Sequence, residues 1–321
     1  MQTRKLGTTD LHLTSIGLGT WAIGGGGWKY GWGAQDEKES LATIHRALDL
    51  GINWIDTAPV YGLGRAEAVV GKAIKGMRHR PVIATKCGLV WHDGKNISGR
   101  LKRESVRAEV EGSLKRLQVN VIDLYQIHWP DPKNDIEEAW STIADLVKEG
   151  TIRYAAVCNF NVNQIKRIEK IHAVASVQPP YSMLERRIEN HLLPYCAKNN
   201  IGAIPYSPLQ KGILTDKFTA KWVQSLPEDD HRPDVDKRFQ EPQLASNLAF
   251  VESLKKLARK HGKSVANVAI AWALRRPEIT SVIVGARRPG QIEETIAAGD
   301  WKLPAADISS TEDLLEKHIR T

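Results

Sequence analysis

The chain has 321 residues, of which 42% are hydrophobic and 26% charged, and no stretch approaches the roughly 20 consecutive apolar residues that a membrane helix needs. No apolar segment follows the basic N-terminus and three cysteines form no disulfide framework, so we expect a soluble cytoplasmic protein rather than a secreted one. The net charge of +8 is spread over segments of helical periodicity without interleaved aromatics, which argues against nucleic-acid binding but can attract an anionic cofactor.

Short apolar runs alternate with amphipathic segments along most of the chain, a pattern typical of parallel α/β proteins. A small β-hairpin is predicted first, over residues 5–13, with turn residues between two short extended pieces. Strands follow it at residues 15–19, 54–57, 82–86, 122–128, 154–158, 176–178, 203–206 and 281–284. Because eight parallel strands close a barrel, we predict one α/β domain over residues 1–321. It is a (β/α)8 TIM barrel with the hairpin plugging its bottom and long loops at its C-terminal face.

Two loops are unusual in composition. Residues 226–242 are rich in Pro, Asp and Arg and follow the seventh strand. A domain boundary is one interpretation, but strands and helices alternate again afterwards, so we favour a long βα loop. Residues 24–33 place Trp28, Tyr30 and Trp32 among glycines behind the first strand.

Three short patterns that suggest other chemistry carry little weight. Residues 17–22 fit the G-x-G-x-x-A dinucleotide fingerprint, but four consecutive glycines stand where the helix should begin. Ser253 and Lys256 fit S-x-x-K inside a helical pattern, without an accompanying S-D-N or K-T-G element. The ten histidines show no metal-ligand spacing, so no metal site is predicted.

Four ionisable residues stand at or after the C-terminal ends of neighbouring predicted strands, where barrel enzymes carry their active sites. Asp56 ends the second strand, Tyr61 lies in the loop after it, Lys86 ends the third and His128 ends the fourth. Adjacent parallel strands lie about 4.8 Å apart, so these side chains can meet in one pocket. Each residue alone has an ordinary explanation, as a turn former, a packed aromatic, a surface charge or a core histidine. Their coincidence favours a catalytic site.

The chemistry of the four side chains also fits together. A phenol is a weak acid with a pKa of about 10, and a nearby ammonium favours the phenolate, so we expect Lys86 to lower the pKa of Tyr61. Asp56 would hold the ammonium, and His128 could orient a carbonyl group or share the proton with Tyr61. The sequence therefore predicts proton transfer by Tyr61.

Several longer motifs occur in chain order between about residues 5 and 298. They comprise Asp56-Thr57-Ala58 followed by Tyr61, Gly62 and Glu67, then Ala84-Thr85-Lys86, then residues 111–117 and 123–128. In these motifs the chain resembles the aldo-keto reductase family. The resemblance implies an oxidoreductase that interconverts aldehydes or ketones with alcohols, with Asp56, Tyr61, Lys86 and His128 as the catalytic tetrad and Tyr61 as general acid or base.

The same resemblance implies a nicotinamide cofactor, NADPH or NADP+ in preference to NADH. Cys158, Asn159 and Gln178 would face its carboxamide group, and Tyr206 would stack on its ring. The full set of predicted cofactor-binding residues is Thr20, Trp21, Asp56, Cys158, Asn159, Gln178, Tyr206, Ser207, Leu209, Gly212, Lys217, Gly285, Ala286, Arg287, Gln291, Glu294 and Thr295.

Two further features of the sequence bear on cofactor binding. Arg287 and Arg288 follow the eighth strand at a predicted helix start, where guanidinium and backbone N–H groups suit the phosphate of NADPH. The less favoured alternative is that one or both arginines are merely solvated. Cys158 and Thr295 stand where the family commonly has Ser and Asn. Because a thiol is a weaker donor than a hydroxyl, carboxamide binding should depend more on Asn159 and Gln178.

A substrate mouth is predicted from six aromatic residues near strand ends, namely Trp21, Trp28, Tyr30, Trp32, Trp91 and Trp129. Stacking surfaces suit many small carbonyl compounds and alcohols, while the alternative for some of these residues is that they only pack. Two other functions stay open. One is a cofactor-binding regulatory or channel-associated sensor subunit with slow turnover, and the other is a non-redox barrel enzyme in which Lys86 forms a Schiff base. The Asp56 and Tyr61 partners suit a stabilising charge better than an amine that must lose its proton.

Overall fold

The computed structural model describes residues 1–92 and 96–319. Its strands are β1 (Thr3–Lys5), β2 (His12–Thr14), β3 (Ile16–Gly19), β4 (Trp54–Asp56), β5 (Val82–Cys87), β6 (Leu89–Trp91), β7 (Ile97–Gly99), β8 (Ile122–Ile127), β9 (Ile152–Cys158), β10 (Ser176–Gln178), β11 (Gly202–Ala203) and β12 (Val282–Gly285). Its α-helices are α1 (Glu37–Asp49), α2 (Arg65–Ile74), α3 (Arg103–Leu117), α4 (Ile136–Lys148), α5 (Val162–Ile168), α6 (Leu192–Asn199), α7 (Ala220–Gln224), α8 (Arg232–Val235), α9 (Gln243–Lys260), α10 (Val265–Leu274), α11 (Pro289–Ile296) and α12 (Ala305–His318). Short 3-10 helices occupy Trp21–Gly24, Lys133–Asp135, Arg187–Glu189, Gln210–Gly212, Lys237–Phe239 and Ala297–Gly299.

The main sheet is parallel and closes on itself. Hydrogen bonds connect its eight strands in the order β11, β10, β9, β8, β5, β4, β3 and β12. Parallel bridges connect Ala203 of β11 with Ile279, just before β12, and Tyr206, just after β11, with Ile283 of β12. Eight parallel strands with helices outside them form a (β/α)8 barrel, so the predicted fold class is confirmed.

The predicted strands differ from the observed ones by a few residues at their ends. The seventh differs most, because it is predicted over residues 203–206 and observed as Gly202–Ala203. A regular ladder cannot continue there, because proline lacks a backbone N–H group. Proline occupies position 205 in this segment and positions 179 and 180 beyond the end of β10. Single hydrogen bonds, such as the one from Tyr206 N to Pro179 O at 3.0 Å, keep the segment attached to the sheet.

A hairpin covers the N-terminal end of the barrel, as predicted. Its strands β1 and β2 pair antiparallel, and Leu6, Leu11 and Leu13 are buried against side chains of the barrel interior. Gly7 in the turn has a φ of +52°, and a Cβ atom there would lie 2.6 Å from the Asn200 carbonyl oxygen. Only glycine allows the turn to approach the barrel this closely.

Local signals position the outer helices. The Asp36 carboxylate accepts a hydrogen bond from Glu39 N at 2.8 Å and so caps α1. Helix α4 buries Ile136, Trp140 and Ile143, which share one face at helical spacing. Within residues 1–92 and 96–319, no helix combines the length and hydrophobicity required to span a bilayer.

Two loops meet over the C-terminal face of the barrel. The long segment after β11 includes residues 226–242, here named the strap. Trp32, in the loop after β3, forms an antiparallel bridge with Asp230 of the strap. Arg232 pairs with Asp230 at 2.5 Å, and its guanidinium lies over the Trp32 and Trp222 rings at 4.6 and 5.1 Å. The strap is thus a long βα loop packed on the barrel.

Candidate active site

Lys86 lies at the centre of a hydrogen-bonded cluster at the C-terminal ends of β4 and β5. Its side chain is fully buried, and its Nζ donates to both carboxylate oxygens of Asp56, at 2.9 and 2.8 Å. The same Nζ donates to the Thr57 carbonyl oxygen and to the Tyr61 hydroxyl oxygen, each at 3.0 Å. The buried ammonium therefore has a carboxylate on one side and a phenol on the other.

The strand register explains why these side chains meet. Asp56 pairs with Ala84 where β4 and β5 lie side by side, so Lys86 stands two residues further along the same face. Tyr61 enters from the turn after β4. His128 follows β8, and its ring meets the Tyr61 ring edge-on at a centroid distance of 5.7 Å. The structure thus brings together all four residues of the predicted tetrad.

The pKa of Tyr61 shifts in the direction opposite to the predicted one. The sequence predicts that Lys86 lowers it, whereas burial raises the pKa of Tyr61 well above that of a free phenol, and the Asp56 carboxylate raises it further. The prediction is wrong because the ring is more deeply buried than its loop position suggests, and because Asp56, 2.8 Å from Lys86 Nζ, offsets the charge of that ammonium. The phenol is therefore protonated at neutral pH, which is the form that can donate a proton.

The imidazole of His128 is neutral at neutral pH. Burial lowers the pKa of His128 well below its usual value, and the positive charge of Lys86 lowers it further. One ring nitrogen of a neutral imidazole donates and the other accepts. His128 can therefore bind a carbonyl or hydroxyl oxygen without adding a second positive charge beside Lys86.

Two buried glutamines support Asp56, and only Gln178 was predicted from sequence. Its Nε2 donates to Asp56 Oδ1 at 2.7 Å and to Gln126 Oε1 at 3.2 Å. Gln126 donates to the same Asp56 oxygen at 3.4 Å. Gln126 lies near the end of β8 and His128 follows that strand directly, two residues further along. Successive side chains of an extended segment point to opposite sides, so this period of two is the signal that predicts Gln126.

Cys158, Asn159 and Tyr206 form the predicted nicotinamide end of the site. Asn159 donates to the His128 carbonyl oxygen at 3.0 Å and to Cys158 Sγ at 3.2 Å. Its Oδ1 accepts from the Tyr206 hydroxyl at 2.9 Å, and Cys158 donates to Gln178 Oε1 at 3.4 Å. A chain of hydrogen bonds therefore connects this end of the site to the tetrad.

Aromatic side chains gather around Tyr61. The Trp21 ring centroid lies 4.9 Å from that of Tyr61 and 5.1 Å from that of Trp28. Tyr30 lies 6.3 Å from Trp21, and Trp91 of β6 packs against the same cluster. These four residues around Tyr61 are named the aromatic mouth. Trp28 is only 6% exposed, so it supports the wall of the mouth and offers little surface to a substrate.

The other two predicted substrate residues are placed differently. Trp32 lies beneath the guanidinium of Arg232 and so holds the strap, while Trp129 is 45% exposed on the loop after β8. His231 of the strap was not predicted, yet its ring centroid lies 6.4 Å from that of Trp21. It stands in an irregular loop, where no periodic pattern marks an inward-facing residue.

The sequence profile of the aldo/keto reductase family matches residues 15–316. The chain belongs to this family. It is 40% identical to the aldo-keto reductase YhdN of Bacillus subtilis (strain 168), over 99% of this chain and 95% of the relative. It is 35% identical to the NADH-specific methylglyoxal reductase of Escherichia coli (strain K12), over 98% of this chain and 99% of that protein. The solved structure of the glycerol dehydrogenase AKR11B4 from Gluconobacter oxydans matches with a TM-score of 0.90 at 38% identity, over 100% of this chain and 97% of that one.

In this aldo/keto reductase, the two predicted phosphate-binding arginines are in different environments. The Arg287 guanidinium donates to Gln35 Oε1 at 2.7 Å, to the Trp32 carbonyl oxygen at 2.9 Å and to the Ala34 carbonyl oxygen. The Arg288 side chain is 70% exposed at the start of α11. A phosphate can therefore reach Arg288 directly, whereas Arg287 would first have to leave the loop after β3.

The remaining predicted cofactor residues lie at or near the C-terminal face. Gln291 Oε1 accepts from the backbone N–H groups of Arg287 and Arg288, at 2.7 and 3.2 Å, and thus caps α11. The hydroxyl of buried Thr295 donates to the Gln291 carbonyl oxygen at 2.9 Å, and that of Thr20 to the Asp56 carbonyl oxygen at 3.0 Å. The segment after β11 carries Ser207, Leu209, Gly212 and the exposed Lys217. Strand β12 ends at Gly285, Ala286 follows it, and α11 carries Glu294.

Proposed function

We propose that this chain is an NADPH-dependent oxidoreductase that reduces aldehydes or ketones to alcohols, reversibly, by hydride transfer with Tyr61 as general acid or base. The observation that supports it most directly is the 3.0 Å hydrogen bond from Lys86 Nζ to the Tyr61 hydroxyl oxygen. Because this oxygen accepts from Lys86, the phenol's own proton is available to a substrate oxygen. As that proton leaves, the negative charge on Tyr61 develops beside a buried ammonium, which stabilises it.

The neighbouring residues would support this proton transfer. Asp56 holds the Lys86 ammonium, and the two glutamines hold Asp56. A neutral His128 would donate a hydrogen bond that orients the carbonyl oxygen toward Tyr61. In the oxidative direction, Tyr61 would accept the proton of the alcohol. The bound nicotinamide supplies or accepts the hydride.

The residues present fit a nicotinamide dinucleotide. Asn159 and Gln178 supply amide groups, Tyr206 supplies a ring, and the start of α11 supplies the exposed guanidinium of Arg288. We propose NADPH in preference to NADH because the exposed Arg288, together with Arg287 once it releases the loop after β3, favours a further phosphate. Since one relative is named NADH-specific, these arginines rather than family membership carry the preference.

We propose small carbonyl compounds and their alcohols as the substrates. We also propose that the chain is a single domain and acts in the cytoplasm. The aromatic mouth beside Tyr61 supports this class, because stacking surfaces accept compact molecules of varied shape. The names of two relatives, a methylglyoxal reductase and a glycerol dehydrogenase, agree with small oxygenated compounds.

The test is a turnover assay over a panel of aldehydes, ketones and alcohols, with NADPH and NADH in parallel. The proposal predicts many turnovers per protein molecule and a higher kcat/KM with NADPH. Conversion that stops after one equivalent of cofactor would instead indicate a sensor subunit. A borohydride-trapped Lys86 adduct without nicotinamide oxidation would indicate Schiff-base chemistry. A higher kcat/KM with NADH than with NADPH would contradict only the proposal that the two arginines bind the additional phosphate of NADPH. If that proposal is right, Arg288→Ala should lower kcat/KM with NADPH more than with NADH.

A further inference from the structure

His231 lies where the strap meets the aromatic mouth. Its ring centroid is 6.4 Å from that of Trp21, and its ring meets Tyr30 edge-on at 5.9 Å. Trp21 in turn lies 4.9 Å from Tyr61. A substrate whose carbonyl oxygen reaches the Tyr61 hydroxyl can therefore extend along Trp21 toward His231.

The contact with Gly31 determines which nitrogen of His231 carries hydrogen. Nδ1 lies 3.0 Å from the Gly31 carbonyl oxygen, which can only accept a hydrogen bond. Burial lowers the pKa of His231; the Gly31 carbonyl and Asp230 raise it, while Lys211 and Arg232 lower it. At neutral pH the ring is thus neutral with hydrogen on Nδ1, and Nε2 is an acceptor. Within residues 1–92 and 96–319, no hydrogen-bond partner of Nε2 is found.

The strap holds this acceptor in place. Asp230 and Arg232, the residues on either side of His231, form an ion pair whose side chains are 0% and 8% exposed. The Arg232 guanidinium also lies over the rings of Trp32 and Trp222. Separating a buried ion pair leaves a charge without a partner and is strongly unfavourable. His231 therefore stands on a backbone segment that is fixed on both sides.

We propose that His231 is a specificity-determining residue whose Nε2 accepts a hydrogen bond from a hydroxyl group of the substrate. The proposal rests on the function proposed above and narrows it to carbonyl compounds that carry a hydroxyl group further along the chain. An acceptor among aromatic rings loses its water when a substrate covers it. A substrate hydroxyl replaces that hydrogen bond, whereas a methyl group leaves the nitrogen unpaired.

The test compares matched substrates with and without hydroxyl groups. We would measure kcat/KM for glyceraldehyde against propanal and for erythrose against butanal. In His231→Phe, which keeps a ring and removes the acceptor, the ratio of hydroxylated to plain aldehyde should fall about tenfold in at least one pair, mainly through the hydroxylated substrate. A ratio unchanged in both pairs would overturn the proposal.

Two further variants separate recognition from disturbance of the loop. His231→Asn keeps a donor for Gly31 but withdraws the ring, so its ratio should fall as in His231→Phe. If the ratio fell in His231→Phe but not in His231→Asn, the cause would be the lost contact with Gly31, and the proposal would be contradicted. His45→Phe is the matched control, because His45 also bonds a backbone carbonyl, that of Ala73 at 3.0 Å, on an outer helix. If the wild-type protein turns over none of the four aldehydes, the proposed function itself fails, independently of His231.

Discussion

Replacing Lys86 with Met removes the charge at the centre of the tetrad while nearly preserving the length of the side chain. Asp56, whose side chain is 4% exposed, would lose its contacts to Nζ at 2.9 and 2.8 Å and keep the glutamine donors at 2.7 and 3.4 Å. Breaking a buried ion pair on one side typically costs about 3–5 kcal/mol of unfolding free energy. We expect a loss in that range for Lys86→Met.

The double variant Asp56→Asn with Lys86→Met separates the cost of an unpaired buried charge from the loss of activity. With both charges removed, no uncompensated charge remains, so the double variant should lose less stability than the sum of the two single variants. Its activity should not recover, because the Tyr61 phenolate still lacks a charged partner. A charge-assisted hydrogen bond of about 1.5–3 kcal/mol corresponds to a drop in kcat of about 10- to 150-fold.

Chemical denaturation and steady-state kinetics on the wild type, both single variants and the double variant would measure these effects. Stability costs that simply add would show that the 2.8 Å contact is not an energetically coupled ion pair. A wild-type kcat in Lys86→Met would show that the charge does not act on Tyr61.

Three further predictions concern Gln126, Cys158 and Glu109, the last of which lies on α3 and accepts a hydrogen bond from Gly88 N. Gln126→Leu removes a donor and an acceptor from the amide pair beneath Asp56, so kcat should fall several-fold while the cofactor Kd, measured by fluorescence titration, stays unchanged. Burial raises the pKa of Glu109 from 4.5 to about 7, so the folded state holds this proton more tightly than the unfolded state. The stability that the bound proton gives the folded state should therefore be lost as pH rises from 4.5 to about 7. The free energy of unfolding of Glu109→Gln, measured by chemical denaturation, should depend less on pH in this range than that of the wild type. Cys158→Ser replaces the thiol, which donates to Gln178 Oε1 at 3.4 Å, with a stronger donor, so the cofactor Kd should decrease about two- to tenfold. An unchanged Kd would show that position 158 does not contribute.

The amino-acid pattern was sufficient to predict the barrel and the convergence of the tetrad. Alternating apolar runs locate parallel strands, and polar residues that end neighbouring strands must meet at one face. Gln126 was within reach of the same reasoning, because it stands two residues before His128. The observed strand β11 is shorter than the predicted strand over residues 203–206, because three prolines interrupt the hydrogen-bond ladder there.

Other features depend on contacts that no local pattern encodes. The sign of the Tyr61 pKa shift follows from deep burial and from the carboxylate beside Lys86. The engagement of Arg287 by Gln35 and its neighbours joins segments far apart in sequence. His231 lies in an irregular loop, where position on the barrel depends on the Asp230–Arg232 pair and not on periodicity.

The most direct test of the central claim compares Tyr61→Phe with the wild type in single-turnover reduction of an aldehyde, with cofactor affinity measured in the same preparations. Phe preserves the packing against Trp21 and removes only the hydroxyl that lies 3.0 Å from Lys86 Nζ. The account predicts that the hydride-transfer rate falls about 10²- to 10⁴-fold while the cofactor Kd stays within about twofold. A Tyr61→Phe protein that reduces the aldehyde at the wild-type rate would contradict the account.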